Sequence, residues 1–188
     1  MVSWKWPPEK EAALARAIVP QLIGFTSVLA SESERSAVVL GAERLHVALE
    51  FVLKSFLKPS PNREDKLFER DGALSTFSRK TEMAYRIGLV TLRFKRSLDL
   101  VRNLRNDFAH ALKVEKLSQQ NHSNRVMALY KLTKEGNEAN FQRFFGIFGK
   151  AEKHTQIYLT CILLLILKLE MQARTVKRIR NRFPARVP

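Results

Sequence analysis

Residues 91–112 read Thr91-Leu92-Arg93-Phe94-Lys95-Arg96-Ser97-Leu98-Asp99-Leu100-Val101-Arg102-Asn103-Leu104-Arg105-Asn106-Asp107-Phe108-Ala109-His110-Ala111-Leu112, with no Gly and no Pro among them. Stepped at 100° per residue, Leu100, Val101, Leu104, Phe108, Ala111 and Leu112 fall in one sector, which predicts a helix with that face in the core. The remaining arc carries Asp99, Arg102, Arg105, Asn106 and His110. Arg102, Asn106 and His110 are successive i, i+4 neighbours, so a guanidinium, a carboxamide and an imidazole line up along one ridge. Arg105 sits at the edge of the arc nearest the apolar sector, where its stem can pack while its charge reaches outward.

The rest of the chain is punctuated as sparsely. Seven Gly and seven Pro in 188 residues leave long uninterrupted segments, and neither an alternating strand pattern nor a repeat of 20 to 50 residues is present. Pro8 opens an Ala-rich helix running toward Leu29, which Pro20 is expected to kink or break. Ser31 or Ser33 caps a second helix through Val38, Leu45, Leu49, Val52, Leu53 and Phe56, ended by Lys58-Pro59-Ser60-Pro61-Asn62. Asp65 to Arg70 reads as one helical turn before an Asp71-Gly72 turn. Ser75 or Thr76 then caps a short helix that Gly88 closes. Beyond the quoted stretch, Ser118 to Asn124 reads as a polar loop and Val126 to Leu132 as a short helix. Glu135-Gly136-Asn137 is a turn, and Phe141 to Phe148 is an aromatic-rich helical piece. The last helix starts near Lys150, and its basic extension is expected to stay helical to about Asn181. The expectation is one all-α, up-and-down bundle over residues 1–173 followed by a basic tail, 174–188.

Lys plus Arg number 33 against 18 Asp plus Glu, a formal net charge of +15, which makes a polyanion the first partner to consider. One cluster, Arg79, Lys80, Arg86, Arg93, Lys95 and Arg96, flanks the ridge. The tail adds Arg174, Lys177, Arg178, Arg180, Arg182 and Arg186 with no acidic residue, and Phe183 can stack on an unpaired base. Arg79, Lys80, Arg86, Arg102, Arg174, Lys177, Arg178, Arg180 and Arg182 are therefore the expected nucleic-acid contacts. Sharing one face, the two clusters would form a groove with Arg105 and His110 at its floor.

Other chemistries drop out. The single cysteine, Cys161, excludes a disulfide framework and a CxxC pair, and with no apolar leader between Met1 and Lys10 it points to a reducing, cytoplasmic setting. Thr155 to Leu167 is apolar but too short to cross a membrane and reads as a core helix. Glu43-x-x-His46 with Glu50 has carboxylate–imidazole spacing but no second copy, so no metal and no cofactor is expected. There is no Walker loop, dinucleotide fingerprint or Gly-x-Ser-x-Gly elbow. The ridge itself suits phosphate chemistry, because Arg offers a fixed fork to phosphate oxygens and His exchanges a proton near neutral pH. The same residue types also brace helices, with Arg105, Asn106 and Asp107 as caps and His110 making one structural bond.

Arg105-Asn106-Asp107-Phe108-Ala109-His110 resembles the R-N-x-x-x-H signature of the HEPN superfamily. That resemblance implies a four-helix domain that dimerises at the motif and, in active members, a metal-independent endoribonuclease. The His and Arg would then help the RNA 2′-hydroxyl attack the adjacent phosphate, aided by Asn106. Asp71-Gly72-Ala73-Leu74-Ser75-Thr76-Phe77-Ser78-Arg79, followed by Ala84-Tyr85-Arg86-Ile87-Gly88-Leu89, resembles the G-P-L-x-x-(F/L)-S-x-(R/K) and (A/I)-Y-x-(L/I)-G-(L/V) block of the mannitol operon repressor (MltR) family. Ala73 stands where Pro is usual, and Lys80 where an apolar residue is common. The better-known mannitol repressors keep a His near this position without the full R-N-x-x-x-H string. Together the two resemblances span about residues 65 to 112. The family resemblance implies a transcriptional repressor without a helix-turn-helix, acting through a basic surface or a protein partner, and the HEPN resemblance adds the expectation of a homodimer. The HEPN signature implies the alternative, a ribonuclease using Arg105, Asn106 and His110.

Overall fold

The computed structural model describes residues 8–113 and 115–179. The anticipated contacts Arg180 and Arg182, with Phe183 and Arg186, lie outside the described residues. The order is α1 (Pro8–Ser31), α2 (Glu34–Phe56), α3 (Phe77–Arg86), α4 (Leu92–His110), α5 (Gln120–Lys134), α6 (Glu138–Phe145), a 3-10 turn (Gly146–Phe148) and α7 (Lys153–Ala173). Among the described residues there is no strand, as the sequence predicts.

Helix starts follow local chemistry. Ser33 Oγ accepts the Ser36 N–H, Thr76 Oγ1 the Arg79 N–H and Thr91 Oγ1 the Phe94 N–H, each satisfying a donor that the first turn leaves without an intrahelical acceptor. Gly88, at φ 76°, ends α3 in a Schellman motif. Its N–H reaches the Tyr85 carbonyl, and the Leu89 N–H reaches the Ala84 carbonyl.

The core is organised around α7, which is buried along nearly its whole length between α1, α2, α5 and α6. Its apolar stretch is core, as expected, and Tyr158 within it donates to the Val38 carbonyl at 3.1 Å. Glu34 ties three elements at one end of the bundle, accepting from the Leu117 N–H at 2.7 Å and from Thr155 Oγ1 at 3.0 Å. Arg44 of α2 meets Glu170 of α7 further along, so these two helices run parallel. α4 runs against both α2 and α5. Arg35 bonds the Ala109 carbonyl at one end, and Arg93 pairs with Glu135 at the other. α6 and the 3-10 turn carry the chain back so that α7 can descend beside α5.

Several local expectations change. α1 continues through Pro20. A proline there costs the hydrogen bond to the carbonyl four residues back, and the burial of Ile18 and Leu22 on either side holds the helix together. Residues 65–70 form turns, not a helical turn. α5 begins at Gln120, inside the anticipated loop, because its first turns cover a polar cleft and need no apolar stripe. Leu112, assigned to the core face, is fully exposed because α4 ends at His110 and the chain leaves the helical path. The described part of the basic extension, residues 174–179, is not helical. It folds back so that the Ile179 N–H bonds the Phe56 carbonyl at the end of α2.

Candidate functional site

Val101, Leu104 and Phe108 anchor α4 in the core, which forces the ridge residues outward. Asn106 and His110 are exposed and Arg105 half-buried. The three do not line one cavity. His110 and Asn106 border an open cleft of about 780 Å³ between α4 and α5, whose other polar walls include Asp107, Glu115, His122 and Arg125. Arg105, with Arg102 and Asn106, lines a second cavity of about 370 Å³ between α2, α3 and α4. Asn106 is the shared residue, and Arg105 Nη1 donates to its Oδ1 at 3.3 Å.

The floor of the His110 cleft is built by residues the sequence did not single out as a group. Asp107 accepts from Arg125 and lies 3.4 Å from His122 Nε2. His122, only 5% exposed, sets Nδ1 3.1 Å from the Lys116 carbonyl and packs its ring on Phe108 at 4.9 Å. Its placement in an apparently featureless polar run concealed it; an i, i+3 link to Arg125 on one helix was the only available signal. The His110 side chain makes neither a hydrogen bond nor an ion pair with the other described residues.

The second cavity holds the Glu43–His46 pair. Among the described residues, no group of three His, Cys, Asp or Glu side chains is arranged to hold a metal. His46 instead faces Lys80, whose Nζ lies 2.6 Å from His46 Nε2 and 2.5 Å from Glu50 Oε2. Lys80 is 2% exposed, which removes it from the anticipated nucleic-acid surface: its position on the inner face of α3, opposite Glu50, makes it an internal counter-ion. Burial, and then Lys80, hold the His46 pKa below its ordinary value.

The other basic residues are distributed unevenly. Arg79 and Arg86 are exposed on α3, and Arg102 is held by Ser78 at 2.7 Å. Arg174, Lys177 and Arg178 are all exposed, and Arg174 pairs with Glu170 at 2.7 Å. The described part of the tail lies at the Phe56 end of α2, where Gln172 also donates to the Leu89 carbonyl beside Gly88. Arg35 and Ala109 mark the other end, about 30 Å away along α2. The described tail therefore adjoins the Arg86 end of the basic cluster and does not share a groove floor with His110.

No family profile and no curated protein sequence matches the chain. Among solved structures, it superposes on the chain of MtlR, the mannitol operon repressor, in an X-ray structure of the MtlR–HPr complex from Escherichia coli, with a TM-score of 0.60. This chain has the MtlR fold. The match covers 82% of it and 99% of the MtlR chain at 14% identity. At that identity the MtlR likeness speaks for architecture. It bears out the fold expected from the block at residues 71–89.

Proposed function

We propose that this protein is a regulator of the MtlR type that acts by docking a partner and carries no helix-turn-helix. The observation behind this reading is the fold match, which covers 82% of this chain and 99% of the MtlR chain in that structure. MtlR is complexed with HPr in that structure, so HPr is the first protein partner to test. The net charge and the exposed Arg79, Arg86, Lys177 and Arg178 make DNA or RNA the second. A homodimer is part of the proposal. Calorimetric titration of the purified chain with HPr, and mobility shifts with DNA and RNA at rising salt, should show a complex in at least one arm, nucleic-acid affinity falling steeply with salt. Silence in both arms would end the regulator reading.

A second reading rests on His110, exposed, unpartnered and at the mouth of an open cleft. In it the chain is a metal-independent endoribonuclease. His110 takes the 2′-hydroxyl proton, and that oxygen bonds to the adjacent phosphorus as the P–O5′ bond breaks. The 5′-oxygen leaves with a proton from water and a 2′,3′-cyclic phosphate remains, while Arg105 balances the charge that builds on the phosphate. Because the two side chains line different cavities, the RNA strand crosses α4 over Asn106 to meet both. RNA incubated with the protein in EDTA should be cut by wild type and spared by folded His110→Ala. Equal inertness of the two proteins would dispose of the enzyme.

A further inference from the structure

The cavity between α2, α3 and α4 has a lining unlike that of the His110 cleft. We propose that it binds a phosphoryl group, with Arg102 and Arg105 supplying charge and Ser78 and His46 supplying neutral hydrogen-bond donors. Among the described residues Arg105 has no carboxylate partner, and its side chain bonds the neighbouring Asn106 amide. Arg102 has its nearest carboxylate, Asp99, at 3.6 Å and is steered toward α3 by Ser78 Oγ. Ser78 accepts that bond, so its own hydroxyl proton remains to be donated.

His46 adds a donor of fixed tautomer. An ammonium has only donors, so the 2.6 Å contact from Lys80 requires Nε2 to accept and leaves the proton on Nδ1. Glu43 Oε1 stands 3.6 Å from that nitrogen, longer than a good hydrogen bond, and is the acceptor that a ligand oxygen would replace. Ser78 also lies in the first turn of the ten-residue α3, where backbone N–H groups have no intrahelical acceptor. Donors from three helices thus converge on one space of about 370 Å³, more than the two oxygens of a carboxylate can use. Among the described residues that line it Glu43 is the sole carboxylate, and it is exposed.

The site shares Arg105 with the ribonuclease reading but fails or stands apart from it, since phosphate binding, HPr binding and RNA cleavage are measured separately. Isotope-labelled full-length protein titrated with inorganic phosphate should show saturable shifts at the Ser78 amide and the His46 ring. Arg102→Gln should weaken the binding about tenfold, the effect of losing one charge-assisted contact. Glu43→Gln should tighten it, a gain that misfolding cannot produce. A single-stranded oligoribonucleotide that displaces the phosphate would identify a nucleic-acid backbone as the natural source; one that leaves it in place would identify a free phosphate. Shifts scattered over the basic surface, or binding unaffected by both substitutions, would overturn the site.

Discussion

Lys80 combines the exposure of a core leucine with a full positive charge. Burial alone would raise the carboxyl of its partner Glu50, but hydrogen bonds from Lys54 and Lys80 outweigh it and hold the carboxyl below its usual range. Removing one member of a buried pair ordinarily costs about 3–5 kcal/mol. Glu50 keeps Lys54 at 2.5 Å, so Lys80→Met is expected to cost less, about 2 kcal/mol by chemical denaturation. His46 gives the cluster a pH dependence. The groups facing it are Lys80, Glu43 and Glu50, and its folded pKa lies below the unfolded value near 6.5. Below that pH the unfolded chain binds a proton that the folded chain refuses, so stability is full above pH 6.5 and falls as pH drops toward the folded value. Thermal unfolding between pH 7.5 and 5.5 should show this loss in wild type and a flat profile in His46→Gln. Parallel slopes in the two proteins would contradict it. Sequence reasoning noticed Glu43, His46 and Glu50 but not their partner, because the residue that completes the group lies on another helix.

At the scale of elements, the caps were readable because each depends on one side chain and the few residues after it. Ser33, Thr76 and Gly88 do what their types predict. Gly88→Ala would force a side chain to φ 76° and is expected to lower stability by about 1–2 kcal/mol. Gly72 is more demanding, since a Cβ there would collide with the backbone carbonyls of Lys66 and Leu67. Gly72→Ala should therefore displace the loop leading into α3 and weaken phosphate binding at Ser78, visible as lost amide shifts. Pro20 shows the opposite lesson: a strong local signal was overridden by burial on both sides. The same competition hid the start of α5, where polar residues over an open cleft looked like loop.

Across the molecule, exposed Lys177 and Arg178 lie at one end of the bundle and His110 at the other. If nucleic acid binds at the tail end, Lys177→Ser with Arg178→Ser should reduce the salt slope of binding by about two. His110→Ala should leave that slope unchanged and alter stability by no more than about 0.5 kcal/mol, as for an exposed side chain without partners. The reverse pattern would move the nucleic acid to the cleft. By itself the sequence determined the helical class, the capped starts of α2, α3 and α4 and the outward ridge of α4, because periodicity and capping act over a few residues along the chain. Only the tertiary structure decided that Arg105 and His110 open onto different cavities, that Lys80 is internal, and that His122 and Asp107 share the His110 cleft. Those facts depend on which helices lie side by side and in which direction they run, and residues distant in sequence set both.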